Sequence, residues 1–212
     1  MKLRGAVVYL VDDEPSVREA LSELLASFQI EHVAFSSASE YLAFERSDSC
    51  ACLVLDIQMP EVNGLDLQRQ LSVETSPPII FLSGNSDIPS TVRAMKAGAS
   101  EFLTKPVDPP VLIAAIRTAF AEDSEKRLKR AHLQGLQRRF LRLTPREREI
   151  LPLIVAGMLN KQAAGLLGIR EVTLQVHRGQ IMRKMEAVSF ADLVRMAETL
   201  GISAPDGDYR NI

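Results

Sequence analysis

A run of four apolar residues, Cys52 to Leu55, ends at the carboxylate of Asp56, and Pro60 follows four positions later. A short uninterrupted apolar run is typical of a strand that is buried on both faces, as in a parallel sheet. Asp56 would then lie where the strand emerges, at the carboxyl edge where open α/β sheets bind their ligands. The run therefore predicts both a fold class and the place of a site.

Strand and helix patterns alternate along the first 120 residues. Apolar residues between Val17 and Phe28 recur at i, i+3, i+4, i+7, i+8 and i+11, which predicts an amphipathic helix after the first strand. Five such strand–helix units predict an α/β fold with a doubly wound, five-stranded parallel sheet. The predicted strands are Ala6–Val11, Glu31–Phe35, Cys52–Asp56, Pro78–Leu82 and Glu101–Thr104.

The second half of the chain has helical periodicity throughout. Thr144, Pro145 and Glu147 form the pattern of a capping box with proline at the first helical position. Later helices are predicted at Lys161–Leu167 with Asn160 as its cap, at about Glu171 to Met185, and after Ser189. The middle pair, at about residues 160–180, is spaced like a helix-turn-helix.

These patterns divide the chain into residues 5–120, a linker at 121–140 and a small all-α domain at 141–204. The linker contains no proline and is rich in Glu, Lys, Arg, Leu and Gln, all good helix formers. We interpret it as a solvated helical connector. Alternatively, it continues the helix after the fifth strand and links the two domains semi-rigidly.

Charge follows the same division. The net charge of −2 combines −7 over residues 1–120 with +3 over 121–140 and +2 over 141–212, which suggests two different tasks. No apolar stretch approaches the ~18 residues of a membrane span, and the N-terminus is a poor signal peptide. Cys50 and Cys52 are too close for an ordinary disulfide and have no partners for a zinc set. We therefore expect a cytoplasmic protein that does not bind membranes.

Polar residues follow four of the predicted strands: Asp12 and Asp13, then Asp56, Ser83 and Lys105. Because parallel strands end at one edge of a sheet, we expect these side chains to converge. Neighbouring carboxylates raise each other's pKa, and a divalent cation relieves their repulsion. Oxygen ligands select a hard ion, so we predict Mg²⁺, bound directly by Asp13 and Asp56 with Asp12 nearby through water. The predicted metal-site residues are Asp12, Asp13, Asp56 and Gln58.

A metal site alone does not need the other two side chains. The ammonium of Lys105 and the hydroxyl of Ser83 are what a transferred phosphoryl group needs around its oxygens. Asp56 would then be the nucleophile that forms an acyl phosphate. Taken singly, a strand-end aspartate is more often a turn or cap residue and a lysine a solvated one. The combination of all five positions favours phosphoryl transfer.

With these motifs, together with the spacing from Asp56 to Met59-Pro60 and Gly64, residues 5–120 resemble the receiver domain of two-component response regulators. The resemblance implies a flavodoxin-like fold, Mg²⁺ dependence, and phosphorylation of Asp56 by a sensor histidine kinase. It also implies that Ser83 and Phe102 rearrange on phosphorylation and that the Lys105-Pro106 bond is cis.

The helical half resembles the LuxR-type helix-turn-helix, and the combination of both halves resembles the FixJ-like subgroup of response regulators. The matching residues include Leu143–Glu147, Leu167-Gly168-Ile169 and Val176-His177. The third helix is expected to enter the major groove, with Leu174, Ile181 and Met185 facing the core. Arg170 stands where the family commonly has a capping serine. The predicted DNA contacts are Lys161, Thr173, Gln175, Val176, Arg178, Gly179 and Arg183.

The sequence thus predicts a phosphorylation-controlled transcriptional activator that binds double-stranded promoter DNA, with RNA polymerase as an expected further partner. Phosphorylation would produce a homodimer through Val92, Met95 and Ala99. Two alternatives remain open. An aspartyl-nucleophile phosphatase also uses a strand-end aspartate, but here Gln58 occupies the place of its second acid. The other is a DNA-binding regulator whose receiver is a relic that never takes phosphate.

Overall fold

A computed structural model of the chain describes residues 5–60, 62–71, 76–84 and 88–203. The chain divides into two compact units, an α/β unit up to Arg127 and a helical unit from Leu128. The last residue of the predicted helical domain, Ala204, lies outside the described residues. Within the described ranges, no helix is long and apolar enough to cross a bilayer.

The α/β unit is built on one parallel sheet in the order β2-β1-β3-β4-β5. The prediction of a doubly wound, five-stranded sheet is confirmed. The elements up to the end of the sheet are β1 (Val7–Val11), α1 (Pro15–Ser27), β2 (Glu31–Phe35), α2 (Ala38–Ala43), β3 (Ala51–Asp56), α3 (Gly64–Gln70), β4 (Ile79–Ser83), α4 (Ile88–Lys96) and β5 (Glu101–Thr104).

Both faces of the sheet are covered because successive side chains of a strand point to opposite faces. Every residue of β3 is buried. Leu53 and Leu55 pack in one apolar cluster, and Cys52 and Val54 pack in the other. The first cluster includes residues of α2, α3 and α4, and the second includes residues of α1 and of the helix that follows β5. This two-sided burial explains why the strand is an uninterrupted apolar run.

Two apolar residues of this unit have an exposure that bears on the roles predicted for them. Phe28 completes the apolar stripe of the first helix, but it is 48% exposed, whereas Leu21 and Leu25 are buried. Phe28 is the C-cap residue, one position beyond the last helical residue, Ser27, so the stripe is longer than the part of it that is buried. Ala99, predicted to take part in dimerisation, is only 8% exposed and packs in the core. Gly98 adopts a φ of +89° after α4, and this turn directs Ala99 inward.

The linker is part of α5, a single helix over Pro109–Leu141 that includes the boundary between the units. Its first part is attached to the α/β unit beyond the predicted boundary at residue 120. The buried carboxylate of Asp123 accepts a 3.0 Å hydrogen bond from the backbone N–H of Ala51, and Arg127 pairs with Asp48. These contacts explain why the unit extends to Arg127.

The helical unit contains the end of α5 and four shorter helices among its described residues: α6 (Pro145–Val155), α7 (Asn160–Leu166), α8 (Glu171–Met185) and α9 (Phe190–Thr199). The capping box of Thr144 and Glu147 is present, and Ser189 caps α9. Asn160, predicted to cap α7, is instead its first residue after Leu159. Its side chain accepts a hydrogen bond from Arg178, so it serves packing between helices rather than a cap.

Candidate functional site

The acidic pocket forms where three strands end. Asp12 directly follows β1 and Asp56 is the last residue of β3, so the two lie side by side because these strands are neighbours. Lys105 follows β5 and reaches across β4, and its Nζ lies 2.7 Å from Asp12 Oδ2 and 2.7 Å from Asp56 Oδ2. The backbone N–H of Lys105 donates to the carbonyl of Ser83 at 2.8 Å, which ties the lysine to the end of β4. The topology therefore brings together the residues whose convergence was predicted.

The pocket holds more acid than base. Oxygens of Asp12, Asp13 and Asp56 lie within 4.8 Å of one another, and one ammonium faces them. Asp12 is fully buried, and burial raises its pKa although the hydrogen bond from Lys105 opposes the rise. Burial lowers the pKa of Lys105, but its hydrogen bonds to Asp12 and Asp56 outweigh burial and raise it. Lys105 is therefore a permanent cation, and negative charge remains in surplus.

Asp56 is held by the loop that follows it. The backbone N–H of Gln58 donates to Asp56 Oδ1 at 3.1 Å, while Lys105 holds the other oxygen. Gly64 begins α3 directly against this loop, and a Cβ at that position would collide with the backbone carbonyl oxygen of Asp56. The side chain of Gln58 is exposed, and its part in a metal site stays a prediction. The loop fixes the orientation of the Asp56 carboxylate.

The donor atoms fit a hard divalent cation. All three acids offer oxygen, and Asp13 is the most accessible to solvent of the three. Carboxylate oxygens with room for waters are what Mg²⁺ prefers, and a divalent charge would balance the surplus. Asp12, Asp13 and Asp56 are therefore the residues that could hold such an ion.

Ser83 and Phe102 lie beside the pocket on β4 and β5. Ser83 is the last residue of β4, is 1% exposed and stands opposite Thr104. Phe102 stands opposite Phe81, is half-buried and packs against the core. The Lys105-Pro106 peptide bond is cis, as the resemblance implies. Both side chains thus lie on the two strands next to the pocket, and their rearrangement on phosphorylation stays a prediction.

The second site is the outward face of α8. Leu174, Ile181 and Met185 are fully buried, so the predicted core face of this helix is confirmed. The opposite face presents side chains to solvent over the whole helix, with Val176 58% exposed. Arg170 precedes the helix without forming a side-chain cap. The exposed residues among the predicted contacts are Lys161, Thr173, Gln175, Val176, Gly179 and Arg183.

Two family matches divide the chain as the geometry does. Residues 8–117 match the response regulator receiver domain, and residues 141–197 match the bacterial regulatory proteins of the luxR family. The chain belongs to the response regulators with a LuxR-type DNA-binding domain. Such regulators are transcription factors rather than classical enzymes.

Relatives match over nearly the whole chain. Nodulation protein W of Bradyrhizobium diazoefficiens is 44% identical over 200 residues, which cover 94% of this chain and 88% of that protein. The transcriptional regulatory protein FixJ of Azorhizobium caulinodans is 36% identical and covers 94% of this chain and 95% of its own. The solved structure of the response regulator StyR has 45% identity and a TM-score of 0.81, covering 92% of this chain and 98% of that one. The predicted FixJ-like subgroup is thereby confirmed.

One predicted DNA contact in this response regulator is already engaged within its own domain. Arg178 Nη1 donates to Asn160 Oδ1 at 3.2 Å, and its guanidinium lies 4.5 Å from the ring centroid of Phe190. A cation stacked on an aromatic ring is held in place. Its role at DNA stays a prediction, and its observed role is to join α7, α8 and α9.

The structure shows contacts beside both sites that the sequence did not indicate. Arg18 Nη1 donates to the backbone carbonyl of Asp12 at 2.7 Å and so supports the acidic pocket from α1. Glu186, after α8, pairs with Arg139 and Arg142 at the end of α5. These partners are brought together by tertiary packing, and no local pattern indicates them.

Proposed function

We propose that this response regulator is a transcriptional activator that is switched by phosphorylation of Asp56. A sensor histidine kinase would supply the phosphoryl group, and promoter DNA and RNA polymerase would be the output partners. Because its ligand would be promoter DNA, the protein would act in the cytoplasm. The observation that carries the proposal is the placement of Lys105 Nζ at 2.7 Å from carboxylate oxygens of both Asp12 and Asp56, in a pocket with surplus acid.

The proposed transfer uses the side chains of the pocket in separate roles. A carboxylate oxygen of Asp56 attacks the phosphorus of a phosphohistidine, so that an O–P bond forms while the P–N bond breaks and the leaving histidine takes a proton. The Lys105 ammonium lies beside Asp56 and would neutralise charge on the oxygens of the transferred group. Once the phosphoryl group is bonded to Asp56, the Ser83 hydroxyl would contact the same phosphoryl oxygens.

Charge is the reason that the transfer would need a divalent cation. The phosphoryl group brings roughly −1.5 to −2 charge into a pocket that already carries surplus acid. Mg²⁺ held by Asp13 and Asp56, with Asp12 nearby, would supply the neutralisation that Lys105 alone cannot. The chain's own contribution is to hold those carboxylates in place through β1, β3 and the loop at Gln58.

The output would be a dimer that places two α8 helices on DNA half-sites. Val92 and Met95 are each 44% exposed, three residues apart on α4, and form an apolar pair suited to an interface. Their position next to β5, which carries Phe102, would let the pocket control this face. Within α8, Gln175 suits adenine and Val176 a thymine methyl, while Lys161 and Arg183 suit phosphates.

The test is the intact mass of the full chain after incubation with Mg²⁺ and acetyl phosphate, with sedimentation of the same samples. Wild type should gain one phosphoryl mass and form dimers, and Asp56→Asn should do neither. Asp66→Asn is the matched control, because Asp66 is a carboxylate on the surface of the same domain paired with Arg69. It should behave as wild type.

The dimer face has its own control. Val92→Asp should keep the mass gain and lose dimers, whereas Leu42→Asp, at an equally exposed apolar position on α2, should keep both. A wild-type chain that gains no mass with Mg²⁺ would support the alternative, a DNA-binding regulator with a relic receiver. A mass gain without dimers would leave Asp56 as the acceptor and remove the dimer from the proposal.

A further inference from the structure

The end of α8 differs from the ends of α6, α7 and α9. Those three helices are each followed by a glycine with positive φ, at Gly157, Gly168 and Gly201. α8 is followed by Glu186 with φ 58° and ψ 32°, a left-handed conformation. Glycine adopts this conformation without steric cost, while a residue with a Cβ is strained there. The chain therefore keeps a glutamate where a glycine would fit better.

The carboxylate of Glu186 joins α8 to the end of α5. Its Oε2 lies 2.9 Å from Nε of Arg139, and its Oε1 lies 3.1 Å from Nη1 of Arg142. Arg139 lies in the last turn of α5, and Arg142 follows that helix by one residue. One carboxylate thus bridges two arginines, with one oxygen on each.

Stability does not explain this choice of residue. The side chains of Glu186, Arg139 and Arg142 are 51%, 31% and 62% exposed, and ion pairs at such exposure contribute little to folding. The left-handed backbone conformation disfavours glutamate further. What the bridge fixes is geometry, because it holds the end of α8 at one place on the end of the linker helix.

A second ion pair acts on the same end of α8. Lys184 Nζ lies 2.6 Å from Oε2 of Glu147 in α6, which follows α5 directly. With both contacts in place, the C-terminal end of α8 is held from two sides. The residues that face DNA, such as Gln175 and Val176, lie toward the other end of a helix about 22 Å long. A change of angle at the held end therefore displaces them.

We propose that Glu186 is a positioning residue for DNA recognition. The buried residues Leu174, Ile181 and Met185 hold α8 on the core. The bridge from Glu186 to Arg139 and Arg142 adds a constraint on the C-terminal end of α8, and this constraint aligns Gln175 and Val176 with the bases. The inference rests on the proposed function, in which α8 enters the major groove. By this proposal, the end of α5 contributes to DNA recognition together with the four helices that follow it.

The experiment measures affinity and stability on the same full-length variants. The probes are a duplex selected from a random pool by the wild-type chain and a scrambled duplex of equal composition. Glu186→Gly removes the bridge and the backbone strain, so its Tm should equal or exceed that of wild type. The ratio of selected to scrambled affinity should fall about fivefold to tenfold, the cost of misaligning one base-pair contact.

Charge is controlled separately, since removing an acid strengthens binding to any duplex. Glu186→Gln and Glu198→Gln remove the same charge from the same domain, but the bridge involves Glu186 alone. Glu186→Gln should lower the affinity ratio, and Glu198→Gln should raise both affinities and leave the ratio unchanged. An Arg139→Gln, Arg142→Gln double variant should match Glu186→Gln in its ratio.

Two results would overturn the inference. One is a wild-type affinity ratio in Glu186→Gly and Glu186→Gln. The other is a lowered Tm in Glu186→Gly with equal loss of affinity for both duplexes, which would make the residue structural. A wild-type chain that enriches no sequence from the pool would instead defeat the proposed DNA readout itself, so the two failures are distinguishable.

Discussion

The receiver and the DNA-binding domain each contain buried carboxylates, but the two domains differ in how many cations face those carboxylates. In the receiver, Asp12 and Asp56 share the single ammonium of Lys105, and Asp13 adds a third carboxylate. In the DNA-binding domain, Glu147 is 4% exposed at its side chain and has its own cation, Lys184, at 2.6 Å. The surplus of acid in the receiver is what would attract the proposed divalent cation. The matched pair of Glu147 and Lys184 instead joins α6 to α8.

The two sites also differ in what burial does to their acids. Burial raises the pKa of Asp12, and the hydrogen bond from Lys105 does not reverse the rise. Burial raises the pKa of Glu147 too, but hydrogen bonds from Lys184 and Thr144 outweigh it and lower the pKa below 4.5. The backbone N–H of Thr144 donates to the same carboxylate at 2.7 Å. The folded state therefore favours ionised Glu147 and disfavours ionised Asp12.

The largest expected effect follows from breaking the balanced site. Lys184→Met leaves Glu147 buried without its cation, and removing one partner of a buried pair costs about 3 kcal/mol or more. Hydrogen exchange of peptides from α6 and α8 measures the free energy of unfolding of this domain alone. Peptides from β1 and β3 should keep their protection.

The matched control is Arg195→Met, which breaks an exposed pair with Asp192 in the same domain. Its effect should stay within about 0.5 kcal/mol. A Lys184→Met variant as stable as this control would show that the pair of Lys184 and Glu147 does not stabilise the packing of α8 against α6.

Local signals predicted much of both sites. Asp56 ends an apolar run of its own strand, and Thr144 and Ser189 cap helices through residues three positions away. Arg18 and Glu186 could not be predicted, because their partners are fixed only when separate elements pack.

Errors arose where a nearby turn or a distant side chain overrode a local preference. Asn160 is a good cap residue, yet Leu159 occupies the cap position and Asn160 binds Arg178. Ala99 follows a surface helix, yet the turn at Gly98 directs it into the core. In each case packing between elements decided the outcome.

The second largest effect follows from neutralising one carboxylate in each domain. This change should raise the stability of the receiver and lower that of the DNA-binding domain. Without divalent cations, Asp13→Asn should stabilise the receiver by about 1 kcal/mol, because it removes one of three mutually repelling charges. Glu147→Gln should destabilise the DNA-binding domain by about 2 kcal/mol, because a glutamine keeps the cap but loses the charge-assisted bond to Lys184. Hydrogen exchange resolves the two domains in each variant.

Asp66→Asn provides the control for Asp13→Asn, since it removes a surface carboxylate of the receiver that is paired with Arg69. It should not stabilise. Adding Mg²⁺ should stabilise wild type and erase the advantage of Asp13→Asn. If Asp13→Asn instead lowers receiver stability in a chelating buffer, the three carboxylates do not destabilise the pocket. The proposed difference in charge balance between the two domains would then be wrong.

The smallest effect is the pH dependence of the contribution that Glu147 makes to the free energy of unfolding. A carboxyl group whose folded pKa lies below its unfolded value stabilises the fold fully above the unfolded value, here 4.5, and loses that contribution as pH falls through the folded pKa. The difference in unfolding free energy between wild type and Glu147→Gln should therefore be constant from pH 7 to about pH 5.5 and shrink below pH 4.5. Asp12, with its pKa raised, has the opposite sign, so protonating its carboxyl does not by itself weaken the receiver. Hydrogen exchange at matched intrinsic rates separates the domains, and a difference that stays constant down to pH 3.5 would show that Glu147 gains nothing from being charged.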